Sequence, residues 1–181
     1  YVGALSRPKG LYTILDVAQR IKGVMFQLVG TPERDAGREL RRVIQERGLE
    51  DRVRLMGSLP NAEVHALLVN SDAYLFPSAT EGFPISVAEA MAAGLPVVAS
   101  TAGAIPDMID APRGGFVISW DDVQGYIEAL ERLRDELRAQ REGGEVPTHT
   151  DYLRLREQHR LVFGSILTAE QHLELERLNL K

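Results

Sequence analysis

Short runs rich in β-branched and aromatic residues recur along the chain at Tyr1–Leu5, Val24–Val29, Val53–Met56, Ala73–Phe76, Leu95–Ala99 and Gly115–Ile118. Each has the length and character of a buried strand. Between them, apolar residues three and four apart predict helices over about Gly10–Lys22, Glu33–Arg47, Ala62–Asn70 and Ile85–Ala93. Strand and helix in strict turn predict βαβ units around a parallel sheet. Asp121 and Asp122 favour the start of a further helix reaching about Arg141. The stretch EGGEVPTHT, residues 142–150, has two glycines and a proline and reads as a linker. Helical periodicity resumes from Asp151, with a break near Gly164-Ser165, and no internal repeat or low-complexity segment is visible.

Composition narrows the class. At 181 residues the chain suffices for one domain with a substantial core, burying about 70% of its unfolded surface. A hydrophobic content of 44% and a charged content of 26% are ordinary for a globular protein. No cysteine occurs, so disulfides and thiolate metal sites are excluded. A net charge of -5 argues against nonspecific nucleic-acid binding, which needs a basic face. The longest apolar run, Ala90 to Ala99, is far too short to span a membrane. The chain begins directly on a strand, without methionine or signal peptide, and reads as a fragment.

Chemistry concentrates between Glu81 and Ser100, EGFPISVAEAMAAGLPVVAS. Glu81 follows the strand Ala73–Phe76, at the edge where open α/β sheets bind ligands. Pro84 suits a first helical turn, where its missing N–H is not needed. The free amides of Phe83, Ile85 and Ser86 then point out of the helix N-terminus, a natural anion site. Glu89 lies one turn beyond Ile85, and its side chain leans back over the same place. Amides suited to phosphates beside carboxylates suited to hydroxyls describe a nucleotide-sugar site.

Each residue also has a plainer reading. Glu81 could be a loop carboxylate and Glu89 a solvated helix residue, the usual fate of glutamate. Val87, Ala88, Ala90 and Met91, however, leave Glu89 little polar face. Lys9 is by default a loop lysine, although it follows the first strand on the ligand edge. Gly3 and Gly10 fit turns as readily as close ligand approach. Ile85 is most simply core. Gly30 with Thr31-Pro32-Glu33 reads as a strand-to-helix turn, and ERDAGRELRR as a solvated charged face. His65, His149, His159 and His172 show no metal spacing and read as structural or solvated.

The stretch from Glu81 resembles the donor-site signature of retaining nucleotide-sugar glycosyltransferases with the GT-B fold (glycosyltransferase group 1, family 4). There, two glutamates flank a Gly-Phe-Gly or Gly-Phe-Pro turn. The resemblance runs from Tyr1 to about Leu133: YVGALSRPKG resembles the opening strand and Lys-Gly loop, and AGAIPDMI and GGFVIS the closing segments. LTAEQHLELERL looks like the family's last helix. The resemblance implies a single Rossmann-like α/β domain over 1–141, with a parallel six-stranded sheet flanked by helices, then the linker 142–150 and C-terminal helices over 151–181. It implies Glu81 and Lys9 as catalytic, one on the transferred sugar and the other on the departing diphosphate. Glu89 would hold the ribose hydroxyls, and Gly82, Phe83, Pro84, Ile85, Ser86 and Gly3 would complete the donor site. Ile85 is a candidate wall for base or ribose, and Ser58 and Leu59 resemble the segment whose backbone contacts the base. No metal or other cofactor is implied, and no Asp-x-Asp motif occurs. The expected partners are a nucleoside diphosphate sugar and an N-terminal acceptor-binding domain absent from this chain. No nucleic acid and no membrane insertion are expected, and the implied location is cytoplasmic.

One position departs from the family. Five residues before Lys9, where an arginine usually shares the diphosphate, stands Ala4. Such a charged hydrogen bond is worth about 1.5–3 kcal/mol. Arg7 lies in the same loop but off the motif. Three readings therefore stand: the donor half of a hexosyltransferase, a nucleotide-sugar binding module without transfer, or an epimerase or phosphorylase on a similar scaffold. The spaced glutamates favour the first two.

Overall fold

The computed structural model describes residues 1–141 except 34–35, 110 and 112–113. The expected linker and C-terminal helices lie outside the described residues. In chain order the elements are α1 (Leu11–Arg20), β1 (Phe26–Val29), α2 (Ala36–Glu46), β2 (Val53–Gly57), α3 (Asn61–Val69) and β3 (Tyr74–Phe76). There follow α4 (Ile85–Ala92), β4 (Val97–Ser100), α5 (Ile105–Met108), β5 (Gly115–Ile118) and α6 (Val123–Arg141). The short helix α5 was not expected from the sequence.

All pairings between strands are parallel, and period-2 alternation divides the core into two layers. Phe26, Leu28, Leu75 and Val98 face α1, α2 and α6. Tyr74, Phe76, Val97 and Ala99 face α3, α4 and α5. β3 and β4 are buried throughout, as strands covered on both faces must be.

The expectation of one six-stranded sheet is corrected. Five strands form two sheets, β1-β2 and β3-β4-β5. Tyr1–Leu5 is not a regular strand and forms only the isolated bridges Val2–Val29 and Leu5–Pro32 among the described residues. On the other side, the Tyr74 hydroxyl takes both the amide and the carbonyl of Val2, at 3.2 and 3.1 Å, where the backbone of β3 would otherwise pair. At the amino ends of the strands a cavity of about 470 Å³ opens between the halves, lined by Phe26, Leu28, Ala73, Leu75, Leu133 and Arg134 among others.

Boundaries shift for local reasons. Gly94 is left-handed at φ 78°, and the Leu95 amide returns to the Ala90 carbonyl at 3.0 Å. Leu95 thus caps α4, and because Pro96 lacks an amide the ladder starts at Val97. At the start of α6, Asp122 Oδ1 accepts the Gly125 amide at 2.9 Å, an N-cap in the expected place.

Candidate functional site

The carboxyl ends of the strands carry two loops that are stitched together, Ser6–Gly10 and Pro77–Gly82. The Ala79 amide donates to the Pro8 carbonyl at 2.8 Å. The Ser78 hydroxyl, fully buried, reaches the carbonyls of Pro8 and Thr80. Gly10 sits in the left-handed region at φ 79°, and a Cβ there would overlap the Pro77 carbonyl oxygen. Only glycine allows this approach. From the join Lys9 Nζ donates to Glu81 Oε1 at 2.8 Å and to the Thr80 carbonyl at 3.1 Å. The structure thus brings together the two residues singled out as catalytic.

Beyond Glu81 the chain turns into α4. The turn is seated on Gly103, whose missing side chain leaves room for the carbonyls of Glu81 and Gly82, and the Ala104 amide donates to Gly82 O at 2.9 Å. Pro84 is the residue before the helix rather than within its first turn, with φ -76° and ψ 104°. No side chain caps α4 and its first turn holds no acidic residue. Among the described residues no backbone carbonyl accepts the amides of Phe83, Ile85 or Ser86. Unsatisfied amides at the positive end of a helix suit an anion. Phe83 and Ile85 are 51% and 57% exposed, so the plain reading of Ile85 as core is corrected. A helix start that packs nothing around Ile85 leaves it at the surface.

Near the two glutamates, close enough for their charges to act on two of its rings, lies an aromatic floor. Tyr1 stacks on Phe76, centroids 5.5 Å apart, and Phe76 on Tyr74 at 5.9 Å. Burial pushes the Tyr74 hydroxyl pKa strongly upward, against the opposing hydrogen bonds from Ser86 and Val2. Burial also raises that of Tyr1, and the negative charge of Glu81 adds to it. Both remain neutral hydroxyls. Glu89 is exposed overall, yet the protein on its inner side desolvates the carboxyl and raises its pKa. Its charge is felt at Tyr74, which ties Glu89, Ser86 and the floor into one locality.

Other residues lie farther off. Gly57, at the end of β2, accepts the Gly30 amide at 2.8 Å, and Gly3 donates to Val29 at 3.0 Å, so these glycines line the same edge. Ser58 is exposed and Leu59 is half-buried against the α3–α4 layer. Among the described residues no hydrogen bond links them to Lys9, Glu81 or Glu89. Ala4 is exposed, and its carbonyl accepts the Tyr1 hydroxyl at 2.8 Å. The Arg7 guanidinium stacks 4.1 Å from the Tyr12 ring centroid. The sequence alone did not single out Tyr1, Tyr74, Ser78 or Gly103; the signal it offered was an aromatic in each of the runs Tyr1–Leu5 and Ala73–Phe76 and a glycine after the run Leu95–Ala99. Among the described residues no three His, Cys, Asp or Glu side chains gather as a metal would require, and no helix is long and apolar enough to cross a membrane.

Comparison with known proteins gives this edge a context. The chain is 33% identical over 141 residues to a putative colanic acid biosynthesis glycosyltransferase, WcaL, of Escherichia coli, covering 71% of this chain and 34% of that protein. It is 34% identical over 142 residues to an MMP alpha-(1->4)-mannosyltransferase of Mycolicibacterium hassiacum, covering 76% and 34%. The chain thus spans about a third of the length of these curated relatives. Among solved structures, HepE of Anabaena in complex with UDP and glucose aligns with TM-score 0.71 and 26% identity over 88% of this chain and 42% of that one. The C-terminal domain of a glycosyl transferase group 1 family protein, LpcC of Francisella tularensis, shares the fold at TM-score 0.70 and 18% identity, over 90% of this chain and 82% of that domain. Residues 1–136 match the family described as glycosyl transferases group 1. That match takes in both stitched loops and all of α4, and the chain belongs to the glycosyl transferases group 1.

Proposed function

We propose that this chain is the donor-binding half of a retaining glycosyltransferase that moves a hexose from a nucleoside diphosphate sugar to an acceptor. The observation that carries the reading is the convergence of Lys9, Glu81 and the open amides of α4 on one sheet edge, within a chain of this family. Lys9 and the amides near Phe83 and Ile85 would stabilise the departing diphosphate, electrostatics arranged in advance of the reaction. Glu81 would accept hydroxyls of the transferred sugar and Glu89 those of the ribose. Gly82, Pro84, Ser86 and Gly3 shape the backbone around them, and Ser58 and Leu59 would meet the base. No metal enters this scheme. The acceptor would be held by an N-terminal domain, which the greater length of the relatives supports. A cytoplasmic location belongs to the same reading.

The test is calorimetric titration of the chain with UDP-, GDP- and ADP-sugars, followed by incubation with a radiolabelled form of one that binds. The expected result is weak binding and no transfer, because donor and acceptor must be held together away from water. Adding the upstream domain should restore transfer. Robust transfer by the chain alone would overturn the two-domain account, and no binding to any nucleotide sugar would remove the donor site. A binding module without transfer is the second reading. Ala4 favours it, since a methyl replaces a phosphate-binding cation and Arg7 is occupied with Tyr12.

A further inference from the structure

We infer that Glu81 makes the site prefer a nucleoside diphosphate sugar over the bare nucleoside diphosphate, by occupying Lys9 until a sugar compensates it. The inference rests on the donor-site reading above and adds a discrimination within it.

An ammonium has three N–H donors. In Lys9 one is given to Glu81 Oε1 at 2.8 Å and one to the Thr80 carbonyl at 3.1 Å, leaving one for a phosphate. The Glu81 side chain is only 9% exposed and that of Lys9 is 34% exposed, so the pair is shielded mainly on the carboxylate side. The Glu81 backbone is seated on Gly103, and the next carbonyl, of Gly82, accepts the Ala104 amide, so the base of the side chain is fixed beside Lys9. A diphosphate arriving at Lys9 therefore meets an ammonium whose charge is already offset, with a like charge beside it. Repulsion in a partly desolvated site is stronger than in water. Glu81 Oε2 has no hydrogen-bond partner among the described residues. A carboxylate oxygen is an acceptor only. Sugar hydroxyls can donate to Oε2 and spread the negative charge, whereas a ligand without sugar leaves it opposed to the phosphates. After transfer, the same carboxylate would help to expel the diphosphate.

The test compares the 181-residue chain with Glu81→Gln, using UDP, UDP-glucose, GDP, GDP-mannose and the nucleosides uridine and guanosine as probes. The wild-type chain should bind at least one sugar nucleotide threefold or more tighter than its diphosphate. In Glu81→Gln the diphosphate should bind at least threefold tighter than to wild type, the sugar nucleotide no tighter, and the nucleoside equally. The wild-type preference needs no variant and so stands as a reading even if Glu81→Gln melts early. Equal or tighter binding of the bare diphosphate by wild type overturns the inference alone. So does a Glu81→Gln protein that folds and keeps the wild-type ratio. Failure of wild type to bind any probe overturns the donor-site reading, and this inference with it.

Discussion

The two sides of the candidate site are built on opposite principles. Around Lys9 and Pro77 the backbone is interlocked: carbonyls are taken, Ser78 is fully buried, and Gly10 fills a gap with no room for a methyl group. At the start of α4 the backbone is left open: among the described residues the amides lack acceptors and no side chain caps the helix, and Phe83 and Ile85 are exposed. The first side is finished by the protein itself. The second is left for the proposed donor to finish. Mutations should therefore register as stability on one side and as affinity on the other.

The sharpest break of that contrast uses two glycines. Gly10→Ala combines left-handed backbone with overlap of a carbonyl, and strain of this kind costs about 3 kcal/mol. The melting temperature should drop by roughly 10 °C for a domain of this size. Gly82 has nothing within 4 Å of the Cβ position. Gly82→Ala should leave stability within about 0.5 kcal/mol, as surface substitutions do. Equal losses on melting would abolish the distinction.

A smaller effect is expected at Glu89. Glu89→Gln should weaken nucleotide binding by about 1–3 kcal/mol, the range for a charged hydrogen bond, with little change in melting temperature. A protein that melts several degrees lower at unchanged affinity would make Glu89 structural. Its pKa is raised above the ordinary 4.5 by desolvation. The folded state then holds this proton more tightly than the unfolded chain. Glu89 accordingly adds stability at low pH, lost as pH rises from 4.5 through the raised folded value. Glu89→Gln should flatten that part of a stability–pH curve measured by urea unfolding. Nucleotide binding should strengthen over the same rise, since the ionised carboxylate is the stronger acceptor of hydroxyls.

The smallest effect concerns Ala4. Ala4→Arg should tighten a nucleoside diphosphate by about tenfold, or ~1.4 kcal/mol, and leave the nucleoside unchanged. Added salt should shrink the gain, because position 4 is exposed. Equal changes for nucleoside and diphosphate would mean that this position does not face phosphates.

Much of this was legible in the chain. Alternating runs located β5 at Gly115–Ile118 and placed α4 at Ile85 within one residue of its end. The order of Glu81, Pro84 and Glu89 put one carboxylate in the loop after β3 and the other within α4, and the structure has them there. What escaped detection depends on distant parts of the chain. A β-rich run at Tyr1–Leu5 does not reveal that it will pair only at isolated bridges or that the Tyr74 hydroxyl will take the amide of Val2. Nor does Lys9 reveal its ion pair with Glu81, 72 positions away. Ile85 looked like core because apolar residues at helix starts commonly pack; here nothing covers it.

The divided sheet gives the molecule two exchange clocks. In β3 the Tyr74 amide bonds toward β4, so alternation turns the Leu75 amide toward the gap, where the cavity admits solvent. The strand β4 is paired on both sides, with β3 and with β5. In deuterated water the Val98 amide should report the opening of the whole domain, while that of Leu75 should exchange faster, through local fluctuation at the cavity. The exchange rate at Leu75 would thus read the junction of the two sheets, and that at Val98 the whole fold.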